Sequence, residues 1–242
     1  EVNSGKWKDI SIASGLSRSH NTQNENLYDF PVFTAENIED FLESCDCVID
    51  FTSPESTARL TEMASKKKIP VVIGTTGLSK DQEAVLQSCS QNIPLVYAAN
   101  MSLGVNLLLA LAQKAAQSLD PDWDIEILET HHKHKKDAPS GTALALGEAV
   151  AQGRGEKLDS VGVFERYGDT GERTPGSIGF AVQRGGDVVG EHDVTFYNEG
   201  ERIRLSHIAS DRGLFARGAL KAAQWVISQP HGLYSMRDVL GL

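Results

Sequence analysis

The chain has 242 residues, 40% of them hydrophobic and 23% charged, with a formal net charge of −10. That length buries a sizeable core in one large domain or two modest ones. The acidic balance argues against nucleic acid or an anionic membrane as partner, and the longest apolar stretch, within "SLGVNLLLALA" (102–112), suits a buried helix better than a membrane span.

The N-terminal "EVNSGKWKDI" carries no apolar signal core, so no secretion signal is expected. Three cysteines, Cys45, Cys47 and Cys89, without framework spacing, suggest reduced thiols and a cytoplasmic setting. Cys45 and Cys47 lack a second Cys/His pair at zinc spacing and are read as core or surface residues, with no metal expected.

The first hundred residues alternate β runs with amphipathic helical stretches. The β runs are "DISIAS" (9–14), "CVIDF" (47–51), "PVVIG" (70–74) and "PLVYAA" (94–99), nearly continuous in apolarity as parallel strands buried on both faces are. Ser53 is placed to cap a helix whose first residue is Pro54, and Ser79 to Gln82 is a capping box. This alternation predicts right-handed βαβ units in a doubly wound parallel sheet. Such sheets bind ligands at the carboxyl ends of their strands. Three loops qualify: "GLSRSHN" (15–21) with Arg18, "GTTG" (74–77) and "AANMSLG" (98–104). Taken alone, "GTTG" reads equally as an ordinary Gly-rich turn.

After Leu119 the pattern changes. "WDIEILET" (123–130) predicts a strand running into "HHKHKK", and "SGTALALGEAVAQG" a helix ended by Gly153. "YGDTGERTPGS" (167–177) is a polar loop of a length that tends to be functional or mobile. From Ser177 a β meander is predicted: "SIGFAVQR" turning through Gly185-Gly186-Asp187 into "VVGEHDVTFY", then Asn198-Glu199-Gly200 into "ERIRLSHIA". "GLFARGALKAAQWVIS" (213–228) restores a helix. The fold class is α/β, a doubly wound parallel-sheet nucleotide-binding domain plus an α+β domain with an open mixed sheet.

Residues 131–136 pack three histidines and three lysines together. Such a run is by itself most often a solvated face. Metal binding is disfavoured, because the lysines repel a cation and no carboxylate is placed as a clear third ligand. The following residues open another reading. Pro139 restricts itself and Ala138, Ser140 is a natural N-cap, and Gly141 and Thr142 stand in the first turn. Free N–H groups at a helix start bind anions, so the segment suits a small dicarboxylate. Clustered positive charge should depress each imidazole's pKa, leaving a histidine able to exchange a proton near neutrality. In "RGGDVVGEHDV" (184–194), Glu191 and His192 fall on opposite faces of a strand, and ordinary strand residues are the better reading.

The motifs "VIGTTG", "AANMSLGVNLL", "ETHHKHKKDAPSGTA" and "RGGDVVGEHDVTF" resemble the 4-hydroxy-tetrahydrodipicolinate (dihydrodipicolinate) reductase family, as does the tail from "DRGLFARGALKAAQWV". The resemblance covers Asp46 to Leu242. It implies a nucleotide-binding domain at 1–101 and 212–242, and a substrate-binding, oligomerisation domain at 102–211 that builds a homotetramer. It implies His131 as proton donor/acceptor and Lys135 as proton donor. His132, Ser140, Gly141 and Thr142 would bind substrate carboxylate, and Gly74, Thr75, Thr76, Ala98, Ala99, Asn100 and Met101 the nicotinamide half of NADPH or NADH. The implied reaction is hydride transfer to a dihydropyridine-dicarboxylate skeleton on the route to diaminopimelate and lysine.

The sequence departs from the family in two places. Its usual opening strand and GxxGRMG loop, which cradle the cofactor pyrophosphate, do not stand here, so an N-terminally incomplete cofactor domain is expected. Met101 stands where an aromatic residue is common, and Met has similar bulk. Arg18 lies where an acidic residue would bind the ribose hydroxyls of NADH, and so favours the 2′-phosphate of NADPH. Two other readings compete: a different two-domain NAD(P) dehydrogenase, which would not need the Ser-Gly-Thr cradle, and a non-catalytic dicarboxylate-binding protein.

Overall fold

The computed structural model describes residues 1–18 and 28–242. The chain forms two compact units, residues 1–101 with 215–242, and residues 102–214.

In the first unit, β1 (Gly15–Ser17) pairs in parallel with β2 (Val32–Thr34). The strand expected at 9–14 therefore lies further along. Residues 11–14 find no ladder and Ile12 stays 43% exposed, because pairing starts only where Gly15 N–H reaches the Pro31 carbonyl. Of the loop at 15–21, Ser19, His20 and Asn21 lie outside the described residues. Arg18 is exposed just beyond β1. Next come α1 (Ile38–Glu43), β3 (Val48–Asp50), α2 (Pro54–Lys67), β4 (Val71–Ile73), α3 (Lys80–Cys89) and β5 (Pro94–Tyr97). Ser53 caps α2 with Pro54 in its first turn, and Ser79 and Gln82 close the capping box of α3. β3, β4 and β5 are parallel neighbours, and Val71, Val72 and Ile73 are fully buried. Leu42, Leu60, Leu86 and Leu95 complete their core.

The second unit holds α4 (Leu103–Ser118), β6 (Asp124–His131), α5 (Gly141–Gly153), α6 (Leu158–Val161), β7 (Gly162–Val163), β8 (Ile178–Arg184), β9 (Gly190–Asn198) and β10 (Glu201–Ala209). Its sheet order is β10-β9-β6-β8-β7. Only β9 and β10 form the expected hairpin, because β6 lies between β8 and β9, parallel to the first and antiparallel to the second. Gly185-Gly186-Asp187 is thus no hairpin turn. It straps the end of β6, with Gly185 N–H donating to the His131 carbonyl (2.9 Å) and His132 N–H to the Val188 carbonyl (2.7 Å). Ile125, Ile127, Val194 and Phe196 face α4 and α5 in one core, with Leu108, Ala112, Leu146 and Val150 from the helices. The polar loop 167–177, expected to be functional or mobile, is pinned by Arg173, which donates to Asp124, Glu126 and the Ile125 and Ser177 carbonyls.

The chain then returns to the first unit through α7 (Gly213–Val226), β11 (Gly232–Tyr234) and α8 (Met236–Leu240), with β11 parallel to β5 at the sheet edge. Gly218 lets α7 close on the end of β5's loop: a Cβ there would lie 1.7 Å from the Met101 carbonyl oxygen.

Candidate active site

Strand β6 alternates along its length, so Ile125, Ile127, Glu129 and His131 all occupy the covered face. The last two extend an isoleucine row with ionisable groups, and both are at least nine-tenths buried. A carboxylate survives there only if paired and hydrogen-bonded. Glu129 meets that condition on both oxygens. Oε2 lies 2.6 Å from His131 Nδ1 and accepts from Arg184 Nη1 (2.7 Å). Oε1 accepts from Arg184 Nη2 (2.8 Å) and from the Ser140 backbone N–H (2.9 Å). Burial alone would raise its pKa. The bonds from Arg184, His131 and Ser140 outweigh that and hold the carboxyl below its ordinary value.

Ser140 carries the second layer. Its Oγ accepts from Ala143 N–H (3.2 Å), capping α5, and lies 3.0 Å from His192 Nε2. With the hydroxyl oxygen occupied by the helix, its proton is free to donate to a neutral imidazole. His192 is suited to that: burial first, and His131 second, push its pKa down to about 4. The His131 and His192 rings meet edge to face at 5.1 Å. The Ala138–Pro139 peptide that delivers the chain to Ser140 is cis. Gly141, at the helix start, is exposed with open space beside it.

Lys135 donates from Nζ to the Asp137 carboxylate (2.8 Å to Oδ2), and this bond, before all other causes, lowers the Asp137 pKa. Arg184 also reaches the Asp137 backbone carbonyl, with Nη2 at 2.8 Å. An open cleft lies against His132, Lys133, His134, Gly186, Asp187 and Arg212. The His132 pKa is lowered, by burial first and then by Arg212, His134, His131 and Lys135. Clustered charge was expected to do this, and it ranks second to burial. Among the described residues, no group of three or more His, Cys, Asp or Glu is arranged to hold a metal.

His131, His132, Lys135, Ser140, Gly141 and Thr142 thus run from the end of β6 through the connecting segment into the first turn of α5. Glu129, Arg184, Asp137 and Arg212 were missed, and His192 was read as an ordinary strand residue. Glu129 and His192 had a signal, since each continues the apolar alternation of its strand on the core side. Arg184 and Arg212 had none, because only the sheet order and the fold of the chain bring them in.

In the first unit, Gly74, Thr75 and Thr76 follow β4, and Ala98 to Met101 follow β5, at the carboxyl ends of adjacent parallel strands. The Thr75 hydroxyl accepts from Thr52 N–H (3.0 Å), joining the β4 loop to that of β3, where buried Asp50 accepts from Thr57 Oγ1. A Cβ on Gly74 would strike the Phe51 ring at 2.2 Å. Thr76 and Ala99 are exposed, and Met101 is 1% exposed. Cys45 and Cys47 are half-buried, and burial pushes the Cys47 thiol up to about 12. No helix among the described residues is long and apolar enough to cross a membrane.

Comparison with known sequences points to one family. The profile for the dihydrodipicolinate reductase N-terminus matches residues 6–101, and that for its C-terminus residues 104–240. A 4-hydroxy-tetrahydrodipicolinate reductase of Cereibacter sphaeroides is 57% identical over 195 residues, 81% of this chain and 72% of its own. That of Polynucleobacter necessarius is 51% identical over 211 residues, 87% of this chain and 79% of its own. A dipicolinate-bound dihydrodipicolinate reductase structure from Paenisporosarcina sp. TG-14 superposes with a TM-score of 0.73, covering 91% of this chain and 86% of its own; at 24% identity it bears on the fold alone. The buried Glu129–His131 pair and the lysine-bearing turn before the Ser-Gly-Thr helix start therefore stand in a chain that belongs to the dihydrodipicolinate reductase family.

Proposed function

We propose that the chain reduces 4-hydroxy-tetrahydrodipicolinate to tetrahydrodipicolinate, in the synthesis of diaminopimelate and lysine. Its family consists of NAD(P)H-dependent reductases. The single observation that carries the residue assignment is His131, held at Nδ1 by the buried Glu129 carboxylate, whose other oxygen accepts from the Ser140 N–H at the α5 start.

Glu129 at Nδ1 directs the other ring nitrogen, Nε2, away from it, as the group to exchange a proton with the ring. Lys135 is the second proton donor. His132 and the backbone N–H groups of Gly141 and Thr142 take the substrate carboxylates, helped by the positive end of the helix. Ser140, whose polar atoms are engaged by Glu129, His192 and Ala143, sets that turn. A bound nicotinamide cofactor supplies the hydride. Gly74, Thr75, Thr76 and Ala98 to Met101 fit its nicotinamide half, because they line adjacent strand ends where such sheets take nucleotides. Arg18, exposed beyond β1, suits the 2′-phosphate of NADPH. Residues 1–101 with 212–242 then serve the cofactor, and 102–211 the substrate.

The sheet of the second unit suits self-association to a homotetramer. Its face away from α4 and α5 exposes Ala181 and Ile208 (67%), and β10 leaves an edge open. A cytoplasmic setting fits the reduced cysteines.

The direct test follows NAD(P)H oxidation by the full-length protein on 4-hydroxy-tetrahydrodipicolinate, with dipicolinate as a planar competitor. Turnover inhibited by dipicolinate is expected. Dipicolinate binding without turnover would replace the enzyme by a dicarboxylate-binding protein.

A further inference from the structure

Arg184 is the last residue of β8 and stands opposite His131 in the parallel β6–β8 register. Its guanidinium grips both oxygens of Glu129, at 2.7 and 2.8 Å, and the same Nη2 reaches the Asp137 carbonyl at 2.8 Å. Nη1 also donates to the Gln183 carbonyl, which anchors the fork to its own strand. Glu129 in turn holds His131, and the Asp137 carboxylate holds Lys135. The acidic partners of both proposed proton donors thus hang on one side chain.

We propose that Arg184 is a positioning residue for the reduction, fixing His131 through Glu129 and Lys135 through Asp137. This rests on the reading of His131 and Lys135 as proton donors. A planar fork bonded to both carboxylate oxygens fixes the plane of that carboxylate as well as its position. The lone pairs left over then point at His131 Nδ1 and at Ser140 N–H. A lysine, a point charge on a flexible stem, holds neither the plane nor both partners at once.

The groups facing Glu129 are His131 from β6, Arg184 from β8, His192 from β9 and Ser140 N–H from the α5 start. Arg184 supplies the leading contribution against the burial that favours a neutral carboxyl. Without that cation the carboxylate takes its proton at a higher pH, and the acid limb of the rate profile moves up with it.

The experiment measures kcat, KM, the pH profile of kcat and thermal unfolding for full-length Arg184→Met and Arg184→Lys, with His131→Ala and Lys135→Ala alongside. In Arg184→Met, kcat is expected to fall about tenfold to a hundredfold, part of what a positioned acid contributes. The KM for the cofactor should stay within about twofold, and the acid limb should move to higher pH, with Arg184→Lys in between. Wild-type kcat and acid limb in folded variants overturn the proposal, and so does a fall in kcat with the acid limb unmoved. Should Arg184→Met not fold, the same two criteria applied to Arg184→Lys decide. Full turnover in His131→Ala and Lys135→Ala overturns the proton-donor reading and this inference with it. If those two are inactive and the Arg184 variants behave as wild type, only this inference falls.

Discussion

Glu129 and His131 stand two residues apart on β6, carboxylate Oε2 and imidazole Nδ1 2.6 Å apart, on the face that Ile125 and Ile127 bury. Each Glu129 oxygen already accepts from two donors. A glutamine there must aim its own N–H₂ at one of those donor pairs, whichever way the amide turns. Glu129→Gln is therefore expected to lower kcat by about 10²-fold or more, the lower end of the range for general acid–base catalysis. Steady-state rates at saturating substrate check this. Near-wild-type kcat would mean that the carboxylate does not hold the imidazole for catalysis.

His192 makes stability depend on pH. Its pKa is about 4 in the folded chain against an ordinary 6.5, so the unfolded chain binds the extra proton between those values. Its contribution is full above about pH 6.5 and is lost as pH falls from there toward 4, a few kcal/mol at about 1.4 kcal/mol per pKa unit. Glu129, whose pKa is lowered, loses its share at still lower pH, as the folded carboxylate protonates. Urea unfolding at pH 4.5, 5.5 and 7 should show stability falling with acid, and a flatter curve in His192→Gln. Equal slopes in both proteins would remove His192 as the cause.

In the first unit, Gly218→Ala places a Cβ against the Met101 carbonyl, a backbone group that cannot rotate away. Overpacking of this kind costs about 1–3 kcal/mol. At about 2–4 °C per kcal/mol for a chain of this size, a Tm lower by several degrees is expected. An unchanged Tm would show that α7 does not seat on that loop.

Arg18 should act on cofactor choice. Arg18→Ala is expected to reduce kcat/KM for NADPH more than for NADH, because only NADPH carries the 2′-phosphate that a guanidinium grips. A wild-type kcat/KM ratio for NADH over NADPH well above about ten would contradict the assignment.

Much of this was legible in the sequence for physical reasons that particular residues show. Pro54 after Ser53 and Gln82 after Ser79 are local signals, and both caps formed where expected. The strand at 9–14 failed because its apolar residues find no partner before Gly15, and pairing is a long-range property that composition does not carry. The Gly185-Gly186-Asp187 turn misled for the same reason. Its residues favour a hairpin, yet β6, some fifty residues earlier in the chain, takes the place between β8 and β9. The cation cluster was visible as charge, while the carboxylate that organises it was hidden in the same stretch. Glu129 became distinct from a surface glutamate only once β6's alternation was known to put it beside the isoleucines.

The proton-donor assignment of His131 and Lys135 is tested most directly by kcat for NAD(P)H oxidation on 4-hydroxy-tetrahydrodipicolinate in full-length His131→Ala and Lys135→Ala, each checked for folding by circular dichroism. Losses of about 10²–10⁴-fold in kcat in both folded variants are expected for positioned proton donors. Turnover within about threefold of wild type in either would contradict the assignment of that residue.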